Sequence, residues 1–324
     1  MAKHYEHLST MERLRTRGIN GYWCESAHRR ACLLAAKPRT APKLVVGNAL
    51  WQLVHAGLKQ GLSPQEVSGT LARTQPAQRI SHVTIHSALY AKPKGELRAE
   101  LIALPRKRHK GRRARTAGQD RRGLIIGVTC IEERPVSVQE RLVPGHWEGD
   151  LIKGAFNGSQ VGTLVERKTL FTLQVQLDSA TAACTANGFI GVLQRVDAQM
   201  RLSMTCDPGR ETADHQHLAR QTGMRVYFAH PYSPWERGIK VNANGPLRHY
   251  LPKISDLSVH SQGQLDEVAH RLNVRPRKSL GWKCPAELFL PERAFDFRAY
   301  WPINLNLLHL GLNAPLIQPL RHKT

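Results

Sequence analysis

HWEGDLIK (146–153), VGTLVE (161–166) and LFTLQVQL (170–177) decide the fold. Each is a short run of apolar and β-branched residues bounded by turn formers, the pattern of strands. They begin just after Pro144, where the texture of the chain changes. Downstream, residues 179–196 suit a helix, MTCD (204–207) ends a short strand, 210–222 suits a helix, and RVYF (225–228) reads as another strand. A helix is expected within 233–250, after the Ser233-Pro234-Trp235 stop, and another at LDEVAHRLN (265–273). Three antiparallel strands followed by alternating helix and strand predict an α/β domain, a mixed sheet flanked by helices.

Upstream, residues 44–95 read as helical. LVVGNALWQLVHAGLKQG (44–61) stops at Gly61, a C-cap signal. Ser63-Pro64-Gln65-Glu66 then carries a capping residue, a proline suited to the first helical position and the glutamate of a capping box. A further helix starts at Ser81, with Ile85 and Leu89 at i, i+4 spacing. Two short helices around a turn fit a helix-turn-helix, and equally any pair of packed helices in a small bundle. Between this region and the sheet, residues 101–122 hold nine Lys/Arg against one acid, Asp120. Self-repulsion resists folding of such a run and suits a linker that tracks phosphates. Its cations include Arg106, Lys107, Arg108, Lys110, Arg112, Arg113 and Arg115.

The whole chain has 324 residues and a formal charge of +22. Residues 1–140 contribute 25 basic and 10 acidic side chains, and 141–324 contribute 22 and 15. A field of this sign attracts polyanions, of which a nucleic-acid backbone is the usual one. No apolar run is long enough to span a bilayer, and MAKHYEHLSTMERLR (1–15) lacks a signal-peptide core, so a cytoplasmic location is expected. The cysteines at 24, 32, 130, 184, 206 and 284 include no C-x-x-C pair, so neither a zinc motif nor a disulfide framework is expected from spacing.

Two carboxylates stand out. Asp150 lies at the end of the first strand, and Asp207 ends a later one before Pro208-Gly209. Aspartates at strand ends can converge at one edge of a mixed sheet. There they supply the hard oxygens that hold Mg²⁺, and bound ions can promote phosphodiester cleavage. Aspartate before Pro-Gly is also an ordinary turn former.

GHWEGDLIKG (145–154), GTLVERKT (162–169), VYFAHPYSPWERG (226–238), NGPLRHYLPK (244–253) and LNVRPRKSLGW (272–282) resemble, in order, the transposases of the insertion-sequence-thirty family. The resemblance runs from about residue 44 to about residue 300. It implies a ribonuclease H-like catalytic domain with an Asp, Asp, Glu triad that uses Mg²⁺ or Mn²⁺. It also implies binding to double-stranded DNA at terminal inverted repeats, cleavage at 3′ ends and joining to target DNA. Asp150 and Asp207 match the two family aspartates. The family glutamate falls in Lys240-Val241-Asn242-Ala243-Asn244-Gly245, where Val241 stands in its place, so catalysis is expected to be impaired. A catalytically inactive DNA-binding relic is the alternative. Glu148, Glu211 and Glu236 are nearby acids, none at the family position.

HYEHLS (4–9) and NGYWCESAHRRA (20–31) resemble the family's flanks of a first helix-turn-helix, and the ten residues between them are too few for it. The expected organisation is a DNA-binding remnant at 1–43, a helix-turn-helix-like DNA-binding region at 44–100, a basic linker at 101–140, the catalytic domain at 141–300 and an atypical tail at 301–324. Arg237, Asn244, Arg275, Arg277 and Lys278 join the linker cations as candidate DNA contacts. A bacterial, nucleoid-associated protein without membrane contact, able to form a homo-oligomer, completes the expectation.

Overall fold

A computed structural model describes residues 24–36, 42–90, 127–230, 233, 236 and 238–291. The expectations for the linker cations from Arg106 to Arg115, for Trp235 and Arg237, for most of the N-terminal remnant and for the tail at 301–324 lie outside the described residues. In chain order the helices α1 (Cys24–Ala36), α2 (Ala49–Lys59), α3 (Pro64–Thr74) and α4 (His82–Tyr90) come first. Then follow β1 (His146–Lys153), β2 (Gln160–Glu166), β3 (Thr172–Gln176), α5 (Ala182–Leu193), β4 (Ser203–Cys206), α6 (His215–Thr222) and β5 (Arg225–Phe228). Helices α7 (Gly238–Tyr250), α8 (Gln262–Asn273) and α9 (Pro285–Phe289) come last, and a single helical turn at Val136–Gln139 precedes β1. The chain divides into two compact units, Met1–Gln52 and Leu53–Thr324. In the first, Asn48 starts α2: its Oδ1 accepts from Trp51 N–H at 2.6 Å, and its Nδ2 donates to Lys43 O at 3.0 Å.

In the second unit, five strands lie in the order β3-β2-β1-β4-β5. β1 pairs antiparallel with β2, β2 antiparallel with β3, and β1–β4 and β4–β5 are parallel. β1 and β5 have the bounds expected from sequence. β3 begins two residues late because the preceding turn consumes them: Leu170 has φ 62°, and Glu166 Oε2 accepts the Thr169 N–H at 2.6 Å. Where one helix was expected over 210–222, Arg210–Thr212 forms a short 3-10 turn before α6.

Side chains alternate across the sheet. Ile152 of β1 meets Val161 of β2 and packs with Leu247, Leu251, Leu257, Leu265 and Leu272, an apolar cluster that seats α7 and α8 on one face. On the opposite face Phe189 of α5 covers the glycines of the central strands. A Cβ at Gly162 would lie 2.6 Å from the Phe189 ring and one at Gly149 3.4 Å from it, so small residues here let the helix approach. Among the described residues no helix is long and apolar enough to cross a membrane.

The capping box expected at α3 is present: Ser63 N–H donates to Glu66 Oε2 at 2.7 Å, and Glu66 N–H donates to Ser63 Oγ at 3.3 Å. Ser68 Oγ donates to Ile80 O at 2.7 Å, which ties α3 to the start of α4, and Ile85 and Leu89 are buried. Arg275 Nε and Nη2 donate to the two Glu66 oxygens at 2.6 Å each, and its Nη1 donates to Gly61 O at 3.0 Å. Arg73 pairs with Glu287 at 2.9 and 3.2 Å. The Trp282 indole lies against Gly69, where a Cβ would come within 2.1 Å of the ring. Arg275, read from sequence as a candidate phosphate contact, is buried, and three of its N–H groups bond to Glu66 and Gly61 at the start of α3.

Candidate active site

β1 and β4 run side by side in parallel, with Glu148 opposite Thr205 as the last pair of the ladder. Two residues further on, the same offset brings Asp150 level with Asp207, one residue beyond the end of β4. Neighbouring strands are about 4.8 Å apart, and the period of two puts both positions on the face that carries α7. Asp150 is half-buried and Asp207 is exposed. The turn after Asp207 is built by Thr212, whose Oγ1 donates to Asp207 O at 2.9 Å and accepts from Gly209 N–H at 3.2 Å.

α7 crosses this strand end. Asn244 Nδ2 donates to Asp150 Oδ2 at 3.0 Å, while Asn244 Oδ1 is buried with no hydrogen-bond partner. One turn later Arg248 Nη1 donates to Lys153 O at 3.0 Å. Burial lowers the Arg248 pKa, and the charge of Asp150 opposes that shift. By helical spacing, position 241 falls one turn before Asn244 on the stripe that continues to 248. Arg248 was not singled out from sequence. Its signal was the i, i+4 relation to Asn244 within NGPLRHY.

The three neighbouring acids are engaged elsewhere. Glu148, 2% exposed, forms an ion pair with Arg167, whose pKa burial pushes down to about 10. Glu211 lies 3.5 Å from Lys153 Nζ. Glu236 bonds to His230, with Oε1 2.8 Å from Nδ1 and Oε2 accepting the His230 N–H at 2.8 Å. This bond raises the His230 pKa. Below Glu148, His146 Nδ1 sits 2.8 Å from Ser203 Oγ, and burial lowers its pKa. Trp147 Nε1 donates to Met200 O at 2.8 Å, so the HWE part of the motif serves the scaffold. Of the basic motif after α8, Arg277 is half-buried and Lys278 exposed.

A five-stranded mixed sheet in this order, with flanking helices and with Asp150 on β1 beside the point where the parallel β4 stops, defines a ribonuclease H-like domain of the transposase and integrase class. The chain is 49% identical over 275 residues to the transposase for insertion sequence element IS1086 of Cupriavidus metallidurans, covering 84% of this chain and 80% of that protein. It is 38% identical over 281 residues to transposase InsI for insertion sequence element IS30A of Escherichia coli, covering 85% and 73%. No family model matches the chain. The catalytic core domain of BIV integrase aligns at 20% identity with a TM-score of 0.36, over 45% of this chain and 94% of that one; the fold assignment rests on the strand order. The chain belongs to the insertion-sequence-thirty (IS30) family of transposases.

Proposed function

We propose that the chain is a DNA-transposition protein of the Asp-Asp-Glu type that binds element ends and has lost most of its cleavage and strand-transfer activity. The observation that carries this reading is the pair Asp150, within β1, and Asp207, just past the end of the adjacent parallel β4, brought level by the register of the two strands. The donor set fits one hard cation: two carboxylates, with the unpartnered Asn244 Oδ1 beside Asp150 as a further oxygen. It lacks the third carboxylate, because Val241 offers no ligand atom. When bound, Mg²⁺ or Mn²⁺ would stabilise charge on the attacking and departing phosphodiester oxygens.

The residues of the chain have separate tasks. Asp150 and Asp207 hold the cation. Asn244 fixes the rotamer of Asp150 by its hydrogen bond. Arg248 adds positive charge near Asp150, where a phosphate would arrive. The basic run from Arg106 to Arg115, with Arg237, Arg277 and Lys278, supplies phosphate contacts along duplex DNA, and Asn244 joins them at the site edge. The DNA bound is the element's terminal inverted repeats and the target, by a homo-oligomer. Domain bounds of 44–100 for end recognition and 141–300 for catalysis complete this reading, in a bacterial nucleoid setting.

A second reading, DNA binding without catalysis, is favoured by Val241 alone. Nicking of supercoiled plasmid in Mn²⁺ separates the two. Wild type is expected at background, and Val241→Glu at roughly tenfold or more above it, a barrier change of about 1.4 kcal/mol or more. Asp150→Ala added to Val241→Glu should abolish the gain. An unimproved Val241→Glu that still binds DNA in a salt-sensitive way would overturn the catalytic reading and leave the binding one.

A further inference from the structure

We propose that Cys130, Glu132 and His230 form a binding site for one zinc-type transition-metal ion, separate from the aspartates of β1 and β4. Their ligand atoms lie within 4.8 Å of one another. The backbone brings them together. Phe228 N–H donates to Thr129 O at 2.9 Å and Cys130 makes a parallel bridge with Phe228, so the segment before the sheet runs beside the end of β5. His230 follows two residues after Phe228, and Glu132 stands on the short 3-10 turn Ile131–Glu133.

The spacings match the metal. Ligands at zinc distances in a tetrahedron stand roughly 3.3–3.8 Å apart. Cys130 Sγ to His230 Nε2 is 3.4 Å, and His230 Nε2 to Glu132 Oε1 is 3.7 Å. The remaining sulfur-to-oxygen edge closes by rotation of the Glu132 side chain, which is 77% exposed.

Glu236 supplies the orienting contact. Its carboxylate takes His230 Nδ1 at 2.8 Å, which turns Nε2 toward the cysteine and Glu132, the carboxylate–histidine–metal arrangement. A thiolate and a carboxylate bring two negative charges, which balance a divalent ion. Arg134, Arg141 and Arg167 share the adjoining cavity of about 340 Å³. Two of these are already engaged, Arg167 with Glu148 and Arg134 with Thr205 Oγ1 at 3.2 Å. The cavity leaves room for water as a fourth ligand. Thiolate and imidazole favour zinc over magnesium, so the two sites select different ions. The ion would clip the segment at 129–133 to the chain that leads from β5 into α7.

The test is a cobalt titration of the chelator-stripped full-length chain. A thiolate-to-cobalt charge-transfer band should appear, saturate at a single equivalent and be displaced by Zn²⁺. Cys130→Ser should abolish the band, and Glu132→Gln, a change on an exposed side chain, should weaken affinity by about tenfold. Cys32→Ser is the control, because Cys32 Sγ lies 3.5 Å from His28 Nε2, and it should change nothing. Zn²⁺ should raise the Tm of wild type and leave that of Cys130→Ser unmoved. Absence of the band, its survival in Cys130→Ser, its loss in Cys32→Ser, or equal thermal shifts in wild type and Cys130→Ser would overturn the site.

Discussion

Glu148 and Asp150 lie two residues apart on one strand and face the same side of the sheet, yet their surroundings differ. Around Glu148 the sheet is closed: Arg167 answers its charge, and Arg167 Nε also donates to Val138 O at 3.3 Å. Around Asp150 the sheet is closed on one side only, where β2 pairs Thr163 with it. On the other side β4 has ended, and the hydrogen-bond partner from α7 is a neutral amide with an oxygen to spare. One period of a β-strand therefore separates a buried acid paired with a guanidinium from a half-buried acid hydrogen-bonded to an amide.

The largest effect should come from breaking the closed side. Arg167→Ala leaves the buried Glu148 carboxylate without its guanidinium, at a cost of about 3–5 kcal/mol in urea unfolding. Replacing both partners by methionine should recover most of that loss; a single mutant within about 1 kcal/mol of wild type would erase the contrast. Next comes Arg275→Ala, which removes three donated bonds from Glu66 and Gly61. It should cost about 2–3 kcal/mol by the same measurement. If instead stability holds and only DNA affinity falls, Arg275 is a phosphate contact after all. The smallest change is expected at the open end. Asp150→Asn should stay within about 1 kcal/mol of wild type in stability while removing the divalent-cation response of Val241→Glu. A large destabilisation there would make Asp150 a second scaffold acid.

Much of this contrast was legible in the sequence. The strand pattern bounded β1 and β5 correctly, because alternation and flanking Gly and Pro are local signals, but it put Asp150 at the end of a strand that runs on to Lys153; what ends beside Asp150 is β4, which only the sheet order reveals. The capping box at Ser63 and Glu66 was legible for the same reason. The bond from Arg275 to Glu66 was not legible because its partner lies 209 positions away, and a spacing rule sees only neighbours. Glu148 could be named as an acid, but its burial against Arg167 depended on the β1–β2 pairing. Cys130 and His230, 100 positions apart, gave no metal-binding spacing at all. The division of 210–222 into two helical pieces was also hidden, since the Thr212 side chain that closes the turn bonds back to a backbone carbonyl five residues earlier.

Glu66 has two roles: it completes a local cap and accepts the fork of Arg275. During synthesis the first role is available as soon as α3 leaves the ribosome, but the second must wait for residues made 209 positions later. At about 5–20 residues per second, that delay is on the order of 10–40 s. Throughout it, α3 has only the local one of its two ties, the cap between Ser63 and Glu66.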